Sequence, residues 1–149
     1  MAASMWDPAV RAGFAERAKK LTADTKPGWG KFHASGMLAH LNDSYRMCLG
    51  ELKVPSKNLP LRYPVIKQLV IYVLPFPKSA PTAPELLLRC DTASLADEQT
   101  AMSAMFGKLA RVKPGDQLQE HPAFGVISHQ AYGVLMARHT DHHLRQFGV

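Results

Sequence analysis

Cysteine is scarce in this sequence, which holds only Cys48 and Cys90 among its 149 residues. Two distant cysteines cannot form the dense disulfide framework of a small secreted domain, so we expect reduced thiols without a catalytic role. Long apolar runs are also missing: the longest apolar stretch, residues 65–74, includes Lys67 and Gln68. It is far shorter than the roughly 20 residues that a membrane helix needs. We therefore expect no membrane partner.

The sequence also lacks internal repeats, low-complexity tracts and an N-terminal basic region followed by an apolar run. The last of these absences predicts that there is no secretory signal and that the protein is cytoplasmic. With 46% hydrophobic and 20% charged residues, the composition is typical of one globular domain spanning residues 1–149. A chain of this length can bury a core without disulfides or a structural metal, so any bound metal would be functional.

Acidic residues are in the minority, since 18 Lys and Arg oppose 12 Asp and Glu and leave a net charge of +6. Such a surface favours anions modestly. A nucleic-acid-binding module would also need clustered cations and interleaved aromatic side chains that stack on bases. Here the cations are scattered, for example at Lys19, Lys20, Lys53, Lys57, Lys108 and Arg111. We therefore expect no nucleic-acid partner.

Helix start and stop signals divide most of the chain into four long helices. Asp7 and Pro8 form a typical N-cap and first helical position, and Gly50 is a typical helix end. Ser94 and Ser128 are further candidate N-caps. Within each segment apolar residues recur every three or four positions, as they do on the buried face of a helix. The predicted helices span about residues 8–22, 35–50, 94–112 and 128–147.

Residues 54–84 interrupt this pattern with seven prolines. Proline removes a backbone donor and fixes φ, so a long helix cannot run through such a segment. We predict a long connection that contains one short helix at residues 65–74. No segment of the chain has a clear strand pattern. Four long helices without strands predict an all-α protein built as a helical bundle.

Three of the seven histidines lie in the last predicted helix, at His139, His142 and His143. At about 100° per residue, His139 and His143 lie about 40° apart, on the inward face with Tyr132 and Leu135. Their Cβ atoms would be about 6 Å apart, close enough for two imidazoles to bind one metal ion. The alternative is a pair of core histidines with ordinary hydrogen-bond partners. We favour the metal site, because one divalent cation satisfies both imidazoles in an apolar core.

Two histidines leave a metal ion under-coordinated, so a third ligand must come from elsewhere in the fold. His40 is the best candidate, since it lies at the margin of the apolar face of the second helix. His33 and His121 lie in predicted loops, and His129 lies in the first turn of the last helix. Three protein ligands and a water would form an open, catalytic type of site. The alternative for His40 is a half-buried polar residue that binds no metal.

Two further side chains are weaker candidates for the same site. Gln146 shares the face of the histidines and could orient His143 or His40 by a hydrogen bond, or could simply bond at the helix end. Tyr132 also lies on this face and could donate to a ligand on the metal. An inward tyrosine in a bundle is more often a core residue than a catalytic one. The sequence offers no stronger candidate for a catalytic group.

Three segments together resemble the DinB/YfiT-like superfamily, in an uncharacterised branch of it. They are residues 37–41 (MLAHL), 121–125 (HPAFG) and 139–148 (HTDHHLRQFG), and the most specific feature is the H-x-x-x-H-x-x-Q pattern of the last segment. The resemblance implies an up-down-down-up four-helix bundle, often dimeric. The apolar first and third long helices leave room for a homodimer interface. The resemblance also places the metal triad of the family on His40, His139 and His143, usually with zinc or nickel.

The resemblance implies less about the reaction. Relatives include thiol S-transferases and a thiol-dependent isomerase that use low-molecular-weight thiols, and others are known only as metal-binding or stress-associated proteins. We favour a metal-dependent enzyme that acts on a small molecule by thiol transfer, in which the metal would stabilise the thiolate. Hydrolysis is the second chemistry, and a non-catalytic metal-binding protein in a stress or sensing role is the alternative. The insertion at residues 54–84 departs from shorter members and is expected to cover or shape the pocket.

Overall fold

The computed structural model describes residues 1–78 and 80–149. Within these ranges the chain forms five α-helices and no β-strand, which confirms the predicted all-α class. The helices are α1 (Pro8–Lys19), α2 (Ala34–Cys48), α3 (Pro64–Tyr72), α4 (Leu95–Leu109) and α5 (His129–Gln146). Two short 3₁₀ helices, Pro60–Arg62 and Pro84–Leu86, lie on either side of α3 in the sequence. No helix in the described ranges combines the length and the apolar character needed to cross a membrane.

The N-terminal ends of α1 and α5 follow the predicted capping chemistry. The Asp7 carboxylate accepts a hydrogen bond from the N–H of Ala9 at 2.8 Å, and the Ser128 hydroxyl accepts one from Ala131 at 3.1 Å. These bonds satisfy N–H groups that have no partner inside the helix. Ser94 is the N-cap of α4 as predicted, but its side chain makes no capping bond within the described residues.

Two helices end three residues before their predicted ends, since α1 ends at Lys19 and α4 at Leu109. Beyond these points the backbone continues in tighter turns. The N–H of Leu21 bonds the carbonyl of Ala18, and that of Val112 bonds the carbonyl of Leu109. Turns with i→i+3 bonds often end an α-helix, and the apolar period can continue through them. The sequence pattern therefore extends slightly past the α-helix itself.

Four of the helices, α1, α2, α4 and α5, contribute to one hydrophobic core. Its buried side chains include Phe14, Leu38, Met102, Phe106 and Leu144. The most enclosed helix is α2, in which 13 of 15 residues are buried. It packs against α4 and α5, and α1 packs against the same two helices. A side chain on the α5-facing side of α2 is therefore surrounded by protein.

Buried charges tie the segment before α4 to the core. Asp43 of α2 and Glu98 of α4 are both only 4% exposed. Arg89 bridges them, with guanidinium nitrogens 3.0 Å from Asp43 and 2.6 Å from Glu98. Because a buried carboxylate without a partner is costly, this bridge fixes the chain around Arg89 against α2 and α4. It thereby holds the nearby carbonyl of Leu86 beside α2.

The short helix α3 forms inside the proline-rich segment, close to the predicted position, and packs against α5. Its only buried residue in the structure is Ile71, which belongs to a small apolar cluster with Phe124 and residues of α5. Arg138 of α5 donates to the carbonyls of Val70 and Ile71 at 2.9 and 2.6 Å, and also to that of Leu74. Carbonyls in the last turn of a helix lack partners inside it, so Arg138 anchors the C-terminal end of α3.

Ile71→Ala should weaken the packing of α3 on α5. Removing buried methyl and methylene groups leaves a cavity, and we expect the free energy of unfolding to fall by about 2–4 kcal/mol. Leu69→Ala is the matched control, because Leu69 lies on the same helix but is 43% exposed; its cost should stay below about 0.5 kcal/mol. Urea unfolding followed by circular dichroism measures both. Equal costs would show that Ile71 does not anchor the helix.

Candidate metal centre

Three histidines from two helices meet at the interface of α2 and α5. His40 comes from α2, and His139 and His143 lie one turn apart on α5. One ring nitrogen from each lies within 4.8 Å of the other two. The Nε2 atoms of His40 and His139 are 3.1 Å apart, and the three ring centroids are separated by 4.8–5.0 Å. The structure thus brings together the three residues that the sequence proposes as metal ligands.

The backbone fixes the tautomer of His40. Its side chain is 2% exposed, and its Nδ1 lies 3.2 Å from the carbonyl oxygen of Leu86. A carbonyl only accepts, so Nδ1 carries the proton and donates it. The lone pair of His40 is then on Nε2, the atom that faces His139. Metal-binding histidines commonly donate their second nitrogen to a carbonyl in this way.

A side-chain amide fixes the tautomer of His143. The Nε2 of Gln146 donates to the carbonyl of Trp29 at 2.8 Å, which sets the orientation of the amide. Its Oε1 is then the atom 2.8 Å from Nδ1 of His143. Because this oxygen accepts, Nδ1 of His143 is the donor and Nε2 is the nitrogen left for a metal.

The loop at residues 28–30 is shaped around this amide. The N–H of Gly28 donates to the backbone carbonyl of Gln146 at 2.6 Å. Gly30 has φ +78°, and a Cβ at this position would lie 2.6 Å from the side-chain nitrogen of Gln146. Only glycine combines this backbone conformation with the required space. The loop is therefore matched to the amide that orients His143.

All three imidazoles are held neutral. Burial lowers the pKa of His40 and lowers that of His139 more strongly, since His139 also faces His143 and His40. Burial and the neighbouring His40 lower the pKa of His143 to about 3. Neutral imidazole is the form that binds metal ions. Three neutral nitrogen donors at these separations fit a divalent transition-metal ion, and imidazole suits zinc, nickel, copper and iron alike.

Aromatic side chains from outside the long helices surround the three histidines. The ring of Phe32 lies 5.4 Å from that of His40, and the ring of Phe76 lies 6.5 Å from that of His139. Trp29 packs on His142 at 5.6 Å, and the Lys78 ammonium lies 4.9 Å from the Trp29 ring. Helical periodicity carries no information about these positions, so the sequence does not predict Phe32, Phe76 and Lys78 as neighbours of the site.

Tyr132 and two histidines outside the cluster, His121 and His129, lie away from the candidate metal site. The phenol of Tyr132 is buried in the core, and it is seven residues, or about 10 Å along the helix, from His139. Its nearest aromatic neighbour in the structure is His121, at 6.0 Å between ring centroids. His121 accepts the N–H of Ala123 through Nδ1, and His129 stacks on Trp6. These histidines have local packing roles in the fold.

A groove of about 710 Å³ runs along the other side of α5. Its walls come from α1, α5 and the chain that follows α3, and they are mostly apolar. Asp141 lies in the groove and pairs with Arg17 at 2.7 Å and Arg145 at 3.0 Å. Phe76 and His142 line both this groove and the rim of the histidine cluster. A volume of this size is in the usual range for small-molecule sites.

Comparison with known proteins identifies the family. The family model described as protein of unknown function, DUF1569, matches residues 13–148. The chain belongs to the DUF1569 family. The matched range includes His40, His139, His143 and Gln146, so the complete histidine cluster lies within the DUF1569 domain. No curated protein and no solved structure matches the chain significantly.

Gln146→Ala should weaken metal binding without abolishing it. The variant removes the acceptor that orients His143 but keeps the backbone bond between Gln146 and Gly28. Loss of such a partner typically costs about 10–100-fold in metal affinity. Competition with a chromophoric chelator measures the affinity for zinc.

Gln99→Ala is the control for this measurement, because Gln99 also donates to backbone carbonyls, those of Ala18 and Leu21, but at a different place in the fold. Its zinc affinity should equal that of the wild type. An unchanged affinity in Gln146→Ala would instead mean that the amide serves only to hold the helix end.

Proposed function

We propose that this DUF1569 protein is a metal-dependent enzyme that acts on a small molecule, with His40, His139 and His143 as ligands of one zinc or nickel ion. The observation that carries the proposal is the convergence of the three imidazoles. The Nδ1 protons of His40 and His143 are committed to oxygen acceptors, so both rings present an Nε2 lone pair. At most one of these can accept a proton from His139. A cation is the partner that satisfies all three rings.

Three protein ligands leave a coordination position for an exogenous group, which is the feature that separates catalytic from structural zinc sites. A bound divalent cation would supply positive charge that favours the thiolate form of a coordinated thiol. The chain supplies the rest: hydrogen bonds occupy the Nδ1 atoms of His40 and His143, and the apolar rings of Phe32 and Phe76 lie beside the cluster.

Thiol transfer is favoured over hydrolysis by the resemblance to the DinB/YfiT-like superfamily, whose relatives include thiol S-transferases. Asp43 pairs with Arg46 and Arg89, and Asp141 pairs with Arg17 and Arg145, so neither carboxylate is free to act as a general base. The chain also lacks a reactive thiol of its own in the described structure. Burial raises the pKa of Cys48 to about 12 and that of Cys90 to about 11.

The proposed cosubstrate is therefore an external low-molecular-weight thiol. In the transfer, its sulfur forms a bond to an electrophilic carbon of the acceptor, the bond from that carbon to its leaving group breaks, and the thiol proton passes to solvent or to the leaving group. No change of oxidation state is required.

The proposal includes membership of the DinB/YfiT-like superfamily. In this interpretation α1, α2, α4 and α5 are the four helices of a single up-down-down-up bundle, and residues 54–84 are an insertion. The shared core of these four helices and the origin of the three histidines in α2 and α5 support it. A cytoplasmic homodimer without a nucleic-acid partner completes the proposal.

Single alanine variants of His139 and His143 should each abolish stoichiometric metal binding while leaving a folded helical protein. Each ligand supplies one of only three protein donors, and the core is large enough to fold without metal. Elemental analysis of untagged protein and far-UV circular dichroism measure the two properties. We expect about one metal ion per chain in the wild type.

The matched controls are His33→Ala and His129→Ala, which should keep full metal content, whereas His40→Ala should lose it. Full metal content in the His139 and His143 variants would show that the site is wrongly assigned. Unfolding of the wild type by a chelator would show a structural metal instead of a catalytic one.

A low-molecular-weight thiol should bind at the metal. In protein loaded with cobalt(II), adding N-acetylcysteine is expected to produce a sulfur-to-cobalt charge-transfer band in the near-ultraviolet, whereas N-acetylserine should not. His139→Ala, treated with cobalt in the same way, is the control. A wild-type protein that binds cobalt stoichiometrically but gives no such band would favour the non-catalytic metal-binding alternative.

A further inference from the structure

The outward face of α3 is apolar, which is the reverse of an ordinary surface helix. Ile71 faces the protein, and the residues on the opposite side are Val65, Ile66, Leu69 and Val73. Val65 and Val73 are 72% and 66% exposed, and Leu69 is 43% exposed. An apolar outward face of this kind needs a second apolar environment to cover it.

Neighbouring residues extend this surface at both ends of α3. Tyr63 precedes the helix and is 66% exposed, and Leu74 follows it and is 46% exposed. Val126 is 77% exposed and lies beside α3, because the Lys67 ammonium donates to its carbonyl at 2.8 Å. We call this surface the α3 patch; its members are Tyr63, Val65, Ile66, Leu69, Val73, Leu74 and Val126. Its centre is the exposed side of a helix, not a cleft between elements.

The sequence around the patch carries charge of one sign. Residues 52–84 contain five cations and no acidic residue, within a chain whose net charge is +6. The cations are Lys53, Lys57, Arg62, Lys67 and Lys78. Arg62 pairs with Glu120 at 3.1 Å, which accounts for one of the five. The apolar helix therefore lies within a stretch of 33 residues whose only charges are positive.

We propose that the α3 patch binds the surface of bilayers that contain anionic phospholipids. Exposed apolar side chains beside lysines are the features of helices that lie in the membrane interface. With nine residues, α3 is about 14 Å long, so it would lie along the interface and not cross the hydrocarbon core. The proposal replaces the expectation, drawn from the lack of a membrane span, that the protein has no membrane partner. It does not rest on the metal site.

Charge complementarity favours a bilayer over a second copy of the chain. A two-fold dimer through the α3 patch would place the same basic segment of both copies at one interface. Repulsion between like charges would oppose that contact. Anionic headgroups instead neutralise the lysines, and the acyl region accepts the side chains that project from the helix.

Vesicle binding by the full-length protein tests the proposal. The protein should co-sediment with extruded vesicles of phosphatidylcholine and phosphatidylglycerol. Its affinity for vesicles of phosphatidylcholine alone should be at least tenfold lower. The triple variant Val65→Ser, Leu69→Ser, Val73→Ser should lose about tenfold or more of the binding to the anionic vesicles. Leu88→Ser is the control, because Leu88 is 75% exposed but lies outside the patch.

The contribution of charge is tested separately. Lys57→Gln with Lys67→Gln should weaken binding on the order of tenfold. Lys20→Gln with Lys113→Gln removes the same charge at exposed sites outside residues 52–84 and should have little effect. Circular dichroism confirms that each variant is folded, and light scattering gives its oligomeric state without vesicles.

Three results would overturn the proposal. The first is equal binding of the wild type to both kinds of vesicle, or no binding to either. The second is a triple serine variant that is folded and binds anionic vesicles as well as the wild type does. The third is a wild-type dimer that the serine variant converts to monomer without any vesicle binding, since a second copy would then be what covers the patch.

Discussion

The two hydrogen bonds that occupy Nδ1 of His40 and of His143 are the constraint on which the site depends. One ends on a backbone carbonyl and the other on an amide whose orientation is set by a second carbonyl. Both rings are thereby forced to keep a lone pair on Nε2 in a place from which water is largely excluded. The surrounding structure holds both acceptors in place, and each acceptor is positioned by a separate polar interaction.

The two supports come from different parts of the chain. The carbonyl of Leu86 stays beside α2 because Arg89, three residues later, bridges the buried carboxylates of Asp43 and Glu98. The amide of Gln146 stays in place because it bonds the loop at residues 28–30, where a glycine of positive φ leaves room for it. The acceptor for His40 lies outside α2, and the amide of Gln146, although on α5 with His143, is oriented by the loop at residues 28–30. The geometry of the cluster therefore depends on tertiary packing.

Periodicity was sufficient to predict the helices and the inward direction of His139 and His143, because both properties follow from 3.6 residues per turn. It could not predict Leu86, Phe32 or Phe76, because these residues lie in loops and short turns where spacing in the sequence does not determine position. Ser94 shows the same limit at a helix end: its residue type predicts the start of α4 correctly, although its hydroxyl makes no capping bond within the described residues.

The segment at residues 54–84 contributes to two surfaces of the molecule, the α3 patch and the rim of the histidine cluster. Through Ile71 and Arg138 it is fixed to α5, the helix that carries two of the three histidines. One side of it displays the α3 patch, and its continuation places Phe76 and Lys78 at the rim of the cluster. The same segment therefore reaches both the α3 patch and the rim of the cluster, and its contacts with α5 fix the position of both.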